Sequence, residues 1–225
     1  MYDFNIIKEN NPDKTFRVAK IMNDFDVKLE HSNEHFIGKL ELPKNWNIGL
    51  IVGNSGTGKS TIAKELFKKE YIKDFKYIHK SVIDDMPKNK TTEEIEKMFY
   101  AVGFGSVPSW LKPYNVLSNG EKMRVNLARA LLEKDKICFD EFTSVVDRNV
   151  AQTMCIATNK AIKKLNKQFI AVSCHYDIIE WLQPDWIFDT NVMAMLPYQA
   201  HENLKHLKSE NVIELSGQSL GSIII

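Results

Sequence analysis

The chain has 225 residues, 44% of them apolar, so it can bury the core of one sizeable α/β domain with a small appendage. Its 26% of charged residues is ordinary for a globular protein and argues against a fibrous or disordered chain. A formal net charge of +1, with arginine at only Arg17, Arg124, Arg129 and Arg148, gives no general attraction to nucleic acid or to membrane surfaces.

The cysteines and the apolar runs indicate the compartment. Cys138, Cys155 and Cys174 lack metal-binding spacing and lie in apolar contexts, which predicts core residues in a reducing compartment. The N-terminal segment has no apolar signal core, and no apolar run reaches the roughly 18 residues of a membrane span. We therefore expect a cytoplasmic location without direct membrane insertion.

Residues 1–47 alternate short apolar runs with polar breaks, which predicts a small antiparallel β layer. The predicted strands are Phe16–Ile21, Phe25–Leu29 and Phe36–Leu42. Phe16 or Phe25 is also a candidate for stacking on a nucleotide base, and packing within the β layer is the alternative for both.

Residues 53–60 read Gly-Asn-Ser-Gly-Thr-Gly-Lys-Ser, which fits G-x-x-x-x-G-K-S/T. A predicted strand, Ile48–Val52, precedes them and a predicted helix, Thr61–Phe67, follows, as this motif requires. Glycines let backbone N–H groups surround a phosphate, so we expect a nucleoside triphosphate, with Lys59 on its β- and γ-phosphates and Ser60 on Mg²⁺. The residues assigned to this loop are Gly53, Asn54, Ser55, Gly56, Thr57, Gly58, Lys59, Ser60 and Thr61.

Between this loop and the next motif, the sequence predicts a strand at Asp74–His79, a helix at Thr91–Ala101 and a loop at Val107–Pro113. The pair Thr91 and Glu94 has the spacing of a capping box. The helix is therefore expected to begin at this pair.

A second capping box, Ser118 and Glu121, precedes an apolar face and predicts a helix within Leu117–Leu132. A helix start offers unpaired N–H groups and partial positive charge, so this one is suited to an anion. An ordinary helix start would look the same, but this one lies between the phosphate loop and the acidic motif that follows.

That acidic motif is the apolar strand Ile137–Phe139 followed by Asp140 and Glu141. An aspartate at such a strand end can hold Mg²⁺, and the adjacent Glu141 is placed to act as a general base or to orient the attacking water. A solvated acidic pair is the alternative.

Downstream, the sequence predicts a helix at Arg148–Lys167, a buried strand at Phe169–Ser173 and a last strand at Trp186–Asp189. His175 closely follows the predicted strand Phe169–Ser173, at the edge where parallel sheets bind ligands. An ordinary surface histidine is the alternative.

In their order, these motifs resemble those of the ATP-binding cassette (ABC) ATPases. Gly53–Ser60 is similar to Walker A, Leu117–Glu121 to the LSGGQ signature, Ile137–Asp140 to Walker B, Ser144–Asp147 to the D-loop and His175 to the switch histidine. The resemblance spans about Phe16 to Asp189.

The resemblance implies a P-loop NTPase of ABC type: an α/β fold with a mainly parallel sheet, a small antiparallel β layer and a shortened helical subdomain. Two copies would meet head to tail around Mg-ATP. Ser118, Asn119 and Gly120 would reach the γ-phosphate on the partner subunit, and Glu121 and Asp147 would also belong to the nucleotide-binding residues. The catalytic residues would be Lys59, Glu141 and His175, with Ser60 and Asp140 on the metal.

Departures from the family pattern narrow the comparison. Asn119 stands where glycine is usual and Glu121 where glutamine is usual, and residues 61–117 contain no glutamine to serve as a transporter's Q-loop residue. Ser81, Asp84 or Asp85 is a candidate for that place. The chain looks closest to the small soluble ABC ATPases found alone or fused to a predicted acetyltransferase, although no acetyltransferase-like segment is visible.

The predicted domains are an ATPase domain at 1–190, with its helical subdomain at about 80–133, and a tail at 191–225 in which 201–210 could form a helix. Leu215–Gln218 echoes the signature, but no amphipathic helix follows it. We predict an ATPase whose homodimer opens and closes to act on a protein or nucleic-acid partner. The alternatives are an ATP-gated binding module with slow turnover, a transporter's ATPase subunit and a P-loop kinase.

Overall fold

The computed structural model describes residues 2–9, 12–27 and 34–196, and the chain divides after Met195 into two compact units, the first of which holds every element below. The strands are β1 Tyr2–Lys8, β2 Glu34–Leu40, β3 Ile48–Val52, β4 Lys136–Phe139, β5 Gln168–Ser173, β6 Trp186–Asp189 and β7 Ala194–Met195. The helices are α1 Phe16–Asp24, α2 Lys59–Leu66, α3 Thr92–Ala101, α4 Val107–Trp110, α5 Asn119–Glu133, α6 Arg148–Leu165 and α7 Ile178–Leu182. Two short 3₁₀ turns lie at Val82–Asp85 and Tyr114–Val116.

The central sheet has the order β4-β5-β3-β6-β7, in which β4, β5, β3 and β6 are parallel and β7 is antiparallel. All five residues of β3 are buried, as expected for a strand covered on both faces. Val52 pairs with Ser173 and Phe139 with Ala171, so β3, β4 and β5 end side by side. The segments that follow these strands, which hold the phosphate loop, Asp140 and His175, therefore meet at one edge of the sheet.

The predicted antiparallel layer is present with different members. It consists of β1 and β2, paired from Tyr2 with Leu40 to Lys8 with Glu34. The prediction for Phe36–Leu42 is confirmed by β2, whereas β1 was not predicted, although its alternation of apolar and polar residues carries the signal. Phe4 and Phe36 are buried in the core, where Phe4 meets Phe188 edge to face at 5.8 Å between ring centroids.

The strand predicted at Phe16–Ile21 is wrong, because this segment is helix α1. Thr15 caps the helix by accepting a hydrogen bond of 3.3 Å from the Val18 N–H, and the apolar residues follow a helical period. None of its residues is buried, and Phe16 is 84% exposed. In the second predicted strand, Phe25–Leu29, residues 25–27 form no strand, and the rest lies outside the described residues.

The strand predicted at Asp74–His79 is also wrong. Its aromatic residues pack against a side chain of α5: the Arg129 guanidinium lies 4.7 Å from the Phe75 ring centroid and 5.2 Å from that of Tyr77. Tyr77 also stacks on Tyr114 with 3.9 Å between centroids. These ring contacts, together with hydrogen bonds from Arg129 to the Lys76 carbonyl and from the Ile78 and His79 N–H groups to Asp85, hold the segment in place of strand pairing.

The helix predicted at Thr91–Ala101 is confirmed by α3, in which both hydrogen bonds of the Thr91–Glu94 capping box form. Part of the loop predicted at Val107–Pro113 is the short helix α4, with proline in its first turn. The helices and strands predicted from Leu117 onward are confirmed as α5, β4, α6, β5 and β6, with ends that differ by a few residues.

The cysteines form no disulfide. Cys138 and Cys155 are buried, as expected, and burial raises the pKa of Cys155 to about 12. Cys174 is only half-buried. Among the described residues, no helix combines the length and the apolar character needed to cross a bilayer. The predicted helix at 201–210 and the signature-like Leu215–Gln218 lie outside the described residues.

Candidate active site

The phosphate loop connects β3 to α2 and depends on glycine at its last turn. Gly58 is the residue before α2 and has a φ of +84°, in the left-handed region. A Cβ at this position would lie 2.4 Å from Phe36 Cε1 on β2. The small β layer therefore packs directly against the loop, and a larger residue at position 58 would be strained and would also collide with it.

Lys59 lies within this loop with only 8% of its surface exposed. Its Nζ donates a 2.6 Å hydrogen bond to the Asn54 carbonyl, which also accepts from Thr57 Oγ1 at 2.8 Å. The ammonium group thus lies across the loop at the start of α2, whose free N–H groups add partial positive charge. A phosphate oxygen can replace the carbonyl as the partner of Lys59, since both are hydrogen-bond acceptors.

Residues after β6 support the loop from its other side. Thr190 Oγ1 lies 2.5 Å from Thr57 Oγ1 and donates to the Val52 carbonyl at 3.1 Å. Asn191 Oδ1 accepts from the Asn54 N–H at 3.1 Å. The sequence analysis missed both residues. Both residues directly follow the predicted last strand, but the sequence did not show that this strand pairs with β3.

The structure brings Ser60 and Asp140 together. Asp140 Oδ1 accepts from Ser60 Oγ at 3.1 Å and from the Glu141 N–H at 3.0 Å. A hydroxyl and a carboxylate are oxygen donors of the kind that Mg²⁺ prefers. Among the described residues, no group of three or more His, Cys, Asp or Glu side chains could hold a metal. The Ser60–Asp140 pair fits a Mg²⁺ whose other ligands would come from phosphate and water, because Mg²⁺ usually keeps several waters and takes only one or two protein carboxylates.

A tyrosine that the sequence analysis missed also binds Asp140. The Tyr71 hydroxyl donates to Asp140 Oδ2, and burial followed by the neighbouring carboxylate raises the pKa of this phenol, so it remains the donor. Tyr71 forms a parallel bridge with Cys138, on the side of β4 that faces away from β5. Tyr71 and Asp140 are 69 residues apart in the sequence, so no local pattern pointed to this pair.

Glu141 is exposed and has a φ of +53°, an uncommon conformation for a residue with a side chain. No hydrogen bond or ion pair joins its carboxylate to another residue in the described ranges. It follows the metal-binding candidate directly and can be reached by water, which is the geometry that its predicted role needs.

His175 lies in the loop after β5, half-buried, and its N–H donates to Ser173 Oγ at 3.2 Å. The next residue connects this loop to the phosphate loop. The Tyr176 hydroxyl donates to Asp189 Oδ2 at 2.7 Å and accepts from Asn191 Nδ2 at 2.7 Å. Asn191 in turn holds the Asn54 N–H, so a continuous set of hydrogen bonds joins the two loops.

The signature segment is exposed at Ser118 and Asn119, and its polar groups bind one another. Ser118 Oγ accepts from the Glu121 N–H at 3.3 Å, and a Glu121 carboxylate oxygen accepts from the Ser118 N–H at 2.9 Å. Glu121 also accepts from Ser109 Oγ at 2.7 Å. The hydrogen bonds from Ser109 and from the Ser118 backbone lower the pKa of this carboxyl.

The signature segment packs on the D-loop segment and on the start of α6. A Cβ at Gly120 would lie 3.8 Å from Val146 Cγ1 and 3.2 Å from Val150 Cγ1, so glycine permits this close approach. Asp147 caps α6 by accepting from the Asn149 and Val150 N–H groups, each at 3.0 Å. Within the described residues, no hydrogen bond joins Ser118–Glu121 or Asp147 to the phosphate loop of the same chain.

Ser81, Asp84 and Asp85 are the sequence-based candidates for the Q-loop position, and among the residues that the structure describes no hydrogen bond or ion pair joins them to the candidate active site. Ser81 donates to Asp84, and Asp85 accepts from the N–H groups of Ile78 and His79. These side chains stabilise their own turn. In the part of the chain that the structure describes, the residue that contacts Asp140 from this segment is Tyr71.

No family profile matches the chain. It is similar in sequence to the energy-coupling factor transporter ATP-binding protein EcfA1 of Staphylococcus aureus: 28% identical over 182 residues for strain USA300 and 29% over 181 residues for strain MW2. Each alignment covers 63% of this chain and 66% of the relative, so the chain spans just under two thirds of the length of these curated relatives.

Solved structures match the fold. The cbiO1 protein of Clostridium perfringens, part of the ABC transporter complex cbiONQ, matches 81% of this chain and 90% of its own, with a TM-score of 0.63 at 16% identity. The dimeric bacterial ABC transporter cassette MJ0796 matches 69% of this chain and 87% of its own, with a TM-score of 0.54 at 16% identity. The predicted fold class is confirmed: the chain has the P-loop NTPase fold of an ATP-binding cassette, with a mainly parallel sheet and a small antiparallel layer.

Proposed function

We propose that this chain is an ATP hydrolase that binds Mg-ATP between two copies arranged head to tail. The observation that carries the proposal is the 3.1 Å hydrogen bond between Ser60 Oγ and Asp140 Oδ1, next to a buried Lys59. A metal-binding pair beside a buried cation and a helix N-terminus fits a metal–triphosphate complex. The curated relatives, named as ATP-binding proteins, support the same ligand.

Within one copy, the proposed roles follow from position. Lys59 and the loop N–H groups bind the β- and γ-phosphates, while Ser60 and Asp140 hold Mg²⁺, which when bound neutralises charge on the phosphate oxygens. Glu141 orients and polarises the attacking water, because its exposed carboxylate directly follows Asp140. His175 contacts the γ-phosphate from the neighbouring strand end.

The second copy supplies the signature residues. Ser118 and Asn119 are exposed at a helix N-terminus, so a partner's γ-phosphate can reach them without any rearrangement of the core. Gly120 and Glu121 shape this helix start, and Asp147 lies on the adjacent loop. A structure of MJ0796 in a post-hydrolysis state is a dimer bound to ADP and Pi, which supports a nucleotide-bound dimer here.

The direct test is phosphate release from ATP by the purified chain, with Mg²⁺ and with excess EDTA. Lys59→Ala should abolish nucleotide binding, because it removes a buried charge whose hydrogen bonds to phosphate are each worth about 1.5–3 kcal/mol. Lys68→Ala, which removes an exposed lysine paired with Glu65, is the control and should keep wild-type binding. Failure of the wild-type chain to bind ATP would contradict the proposal.

The process that ATP hydrolysis drives is a separate question, with two main candidates. A transporter's ATPase subunit is favoured by the names of the curated relatives, which are transporter ATP-binding proteins. A soluble ATPase of the kind found alone or with an acetyltransferase is favoured by the absence of glutamine from residues 61–117, the segment that would supply the Q-loop. Co-purification of the Glu141→Gln variant with a membrane protein in the presence of ATP would support the transporter role.

An ATP-gated module for a protein or nucleic-acid partner is a further alternative. It predicts slow turnover that a partner accelerates. Phosphate release measured with and without duplex DNA tests the nucleic-acid form of this alternative, and an unchanged rate would count against it.

A further inference from the structure

We infer that Tyr71 is a positioning residue of this site, whose hydroxyl fixes the Asp140 carboxylate in the orientation that metal binding requires. The inference rests on the proposed function, since it assigns a role toward the metal that Ser60 and Asp140 would hold. It replaces the sequence-based candidates Ser81, Asp84 and Asp85 as the contribution of this segment to the site.

The hydrogen bonds of Asp140 divide between its two oxygens. Oδ1 accepts from Ser60 Oγ and from the Glu141 N–H, and Oδ2 accepts from the Tyr71 hydroxyl. A carboxylate held at both oxygens cannot rotate about its Cβ–Cγ bond without losing a partner. The Tyr71 contact therefore keeps Oδ1 directed at Ser60, the other metal-ligand candidate.

The backbone places Tyr71 at this position. The Ile72 N–H donates to the Cys138 carbonyl and the Cys138 N–H donates to the Glu70 carbonyl, each at 2.9 Å. This one parallel bridge lies on the outer side of β4, the strand that leads into Asp140. The phenol ring also lies 5.2 Å from Lys64 Nζ on α2, so the ring keeps a neighbour when its hydroxyl is removed.

The expected consequence is specific to the metal. Partners that orient metal ligands typically change metal affinity by about 10–100-fold when they are removed. No described hydrogen bond joins Tyr71 to the phosphate loop, so ATP binding without metal should not depend on its hydroxyl. Removing that hydroxyl should weaken Mg²⁺ binding and leave metal-free nucleotide binding unchanged.

The experiment compares wild type, Tyr71→Phe and Tyr77→Phe. Tyr77 is the control because it is also partly buried, and its hydroxyl donates to Asn126 on α5 rather than to a residue of the candidate site. A fluorescent ATP analogue is titrated in EDTA and then at increasing Mg²⁺, and bound Mn²⁺ is counted from its EPR signal as a readout that does not involve turnover. Thermal unfolding in EDTA checks that all three chains are folded.

We expect Tyr71→Phe to need about 10–100-fold more Mg²⁺ or Mn²⁺ for half-saturation, with unchanged affinity in EDTA, and Tyr77→Phe to match wild type. An unchanged or higher metal affinity in Tyr71→Phe would overturn the inference, as would an equal loss of affinity with and without metal. If wild type itself binds no nucleotide, the proposed function fails; if wild type binds Mg-ATP and Tyr71→Phe binds it equally well, only the role of Tyr71 fails.

Discussion

The two regions proposed to face ATP are built in different ways. At the edge of the sheet that holds the phosphate loop and Asp140, here called the phosphate edge, several hydrogen bonds join residues far apart in sequence, such as Ser60 with Asp140 and Asn54 with Asn191. At the signature, Ser118 and Glu121 bind each other within one helical turn. The first region is assembled by the tertiary fold, whereas the second is formed mainly within one helical turn, with one further hydrogen bond from Ser109, and is exposed at Ser118 and Asn119. This difference is what a site shared between two copies requires, because the exposed half must approach another molecule.

The largest expected effect is on turnover at the phosphate edge. Glu141→Gln removes the proposed base and should lower the rate of phosphate release by about 10²–10⁴-fold while leaving ATP binding intact. Because ATP then persists, this variant should elute as a dimer in gel filtration with Mg-ATP. Glu96→Gln on α3 is the control with a normal rate. A monomeric Glu141→Gln at saturating Mg-ATP would contradict the shared site.

The next prediction tests directly whether the phosphate loop and the signature of one ATP site come from different copies of the chain. Ser118→Ala should lower turnover by about 10²-fold, the usual cost of one lost donor to developing charge, and keep ATP binding. Lys59→Ala should bind no ATP. In a mixture of the two variants, one site of each mixed dimer retains both native halves, so phosphate release should exceed that of either variant alone.

Thr91→Ala is the matched control for Ser118→Ala, because Thr91 caps α3 through the same pattern of hydrogen bonds outside the proposed site. Each substitution should cost about 1 kcal/mol in the free energy of unfolding. Only the Ser118 variant should lose turnover. Equal turnover of the two variants, or no recovery in the mixture, would show that the signature serves only as a helix start.

A smaller effect, on ATP affinity, is expected when a residue that supports the phosphate loop from a distant part of the sequence is removed. Asn191→Ala removes the hydrogen bonds from Asn191 to the Asn54 N–H and to Tyr176, each worth about 1 kcal/mol. ATP affinity should fall by about 5- to 30-fold, measured by titration with a fluorescent analogue. Asn159→Ala, which removes a hydrogen bond to the Leu182 carbonyl, should leave the affinity unchanged.

The smallest effect concerns pH at the signature. The pKa of Glu121 is lowered in the folded chain below its ordinary value of 4.5, first by the Ser109 hydrogen bond and then by that of the Ser118 backbone. Its carboxylate therefore stabilises the fold above pH 4.5, and this contribution is lost as the pH falls through the folded pKa. Between pH 7 and pH 4, wild type should lose more thermal stability than Glu121→Gln. Because Glu121 keeps part of its surface in contact with solvent, screening by water should make the difference small. An equal loss in the two chains would contradict the prediction.

Several elements could be predicted from local sequence because their signals are local. The phosphate loop, both capping boxes and the apolar strand before Asp140 each depend on residues within a few positions of one another. The strands predicted at Phe16–Ile21 and Asp74–His79 failed for two different reasons. Helix α1 has a helical period that a short window can mistake for strand alternation, and residues 74–79 are held by Arg129 and Tyr114, which lie far away in the sequence.

The sequence by itself identified the chemical groups of the proposed site: a glycine loop with Lys59 and Ser60, an acidic strand end at Asp140 and Glu141, and a capped helix start at Ser118. Only the tertiary structure decided which side chains hold these groups in place. Tyr71 reaches Asp140, and Thr190 and Asn191 reach the phosphate loop, because β4 pairs with the Tyr71 segment and β3 pairs with β6. Strand pairing joins residues without regard to their separation in sequence, so no local pattern can contain that information.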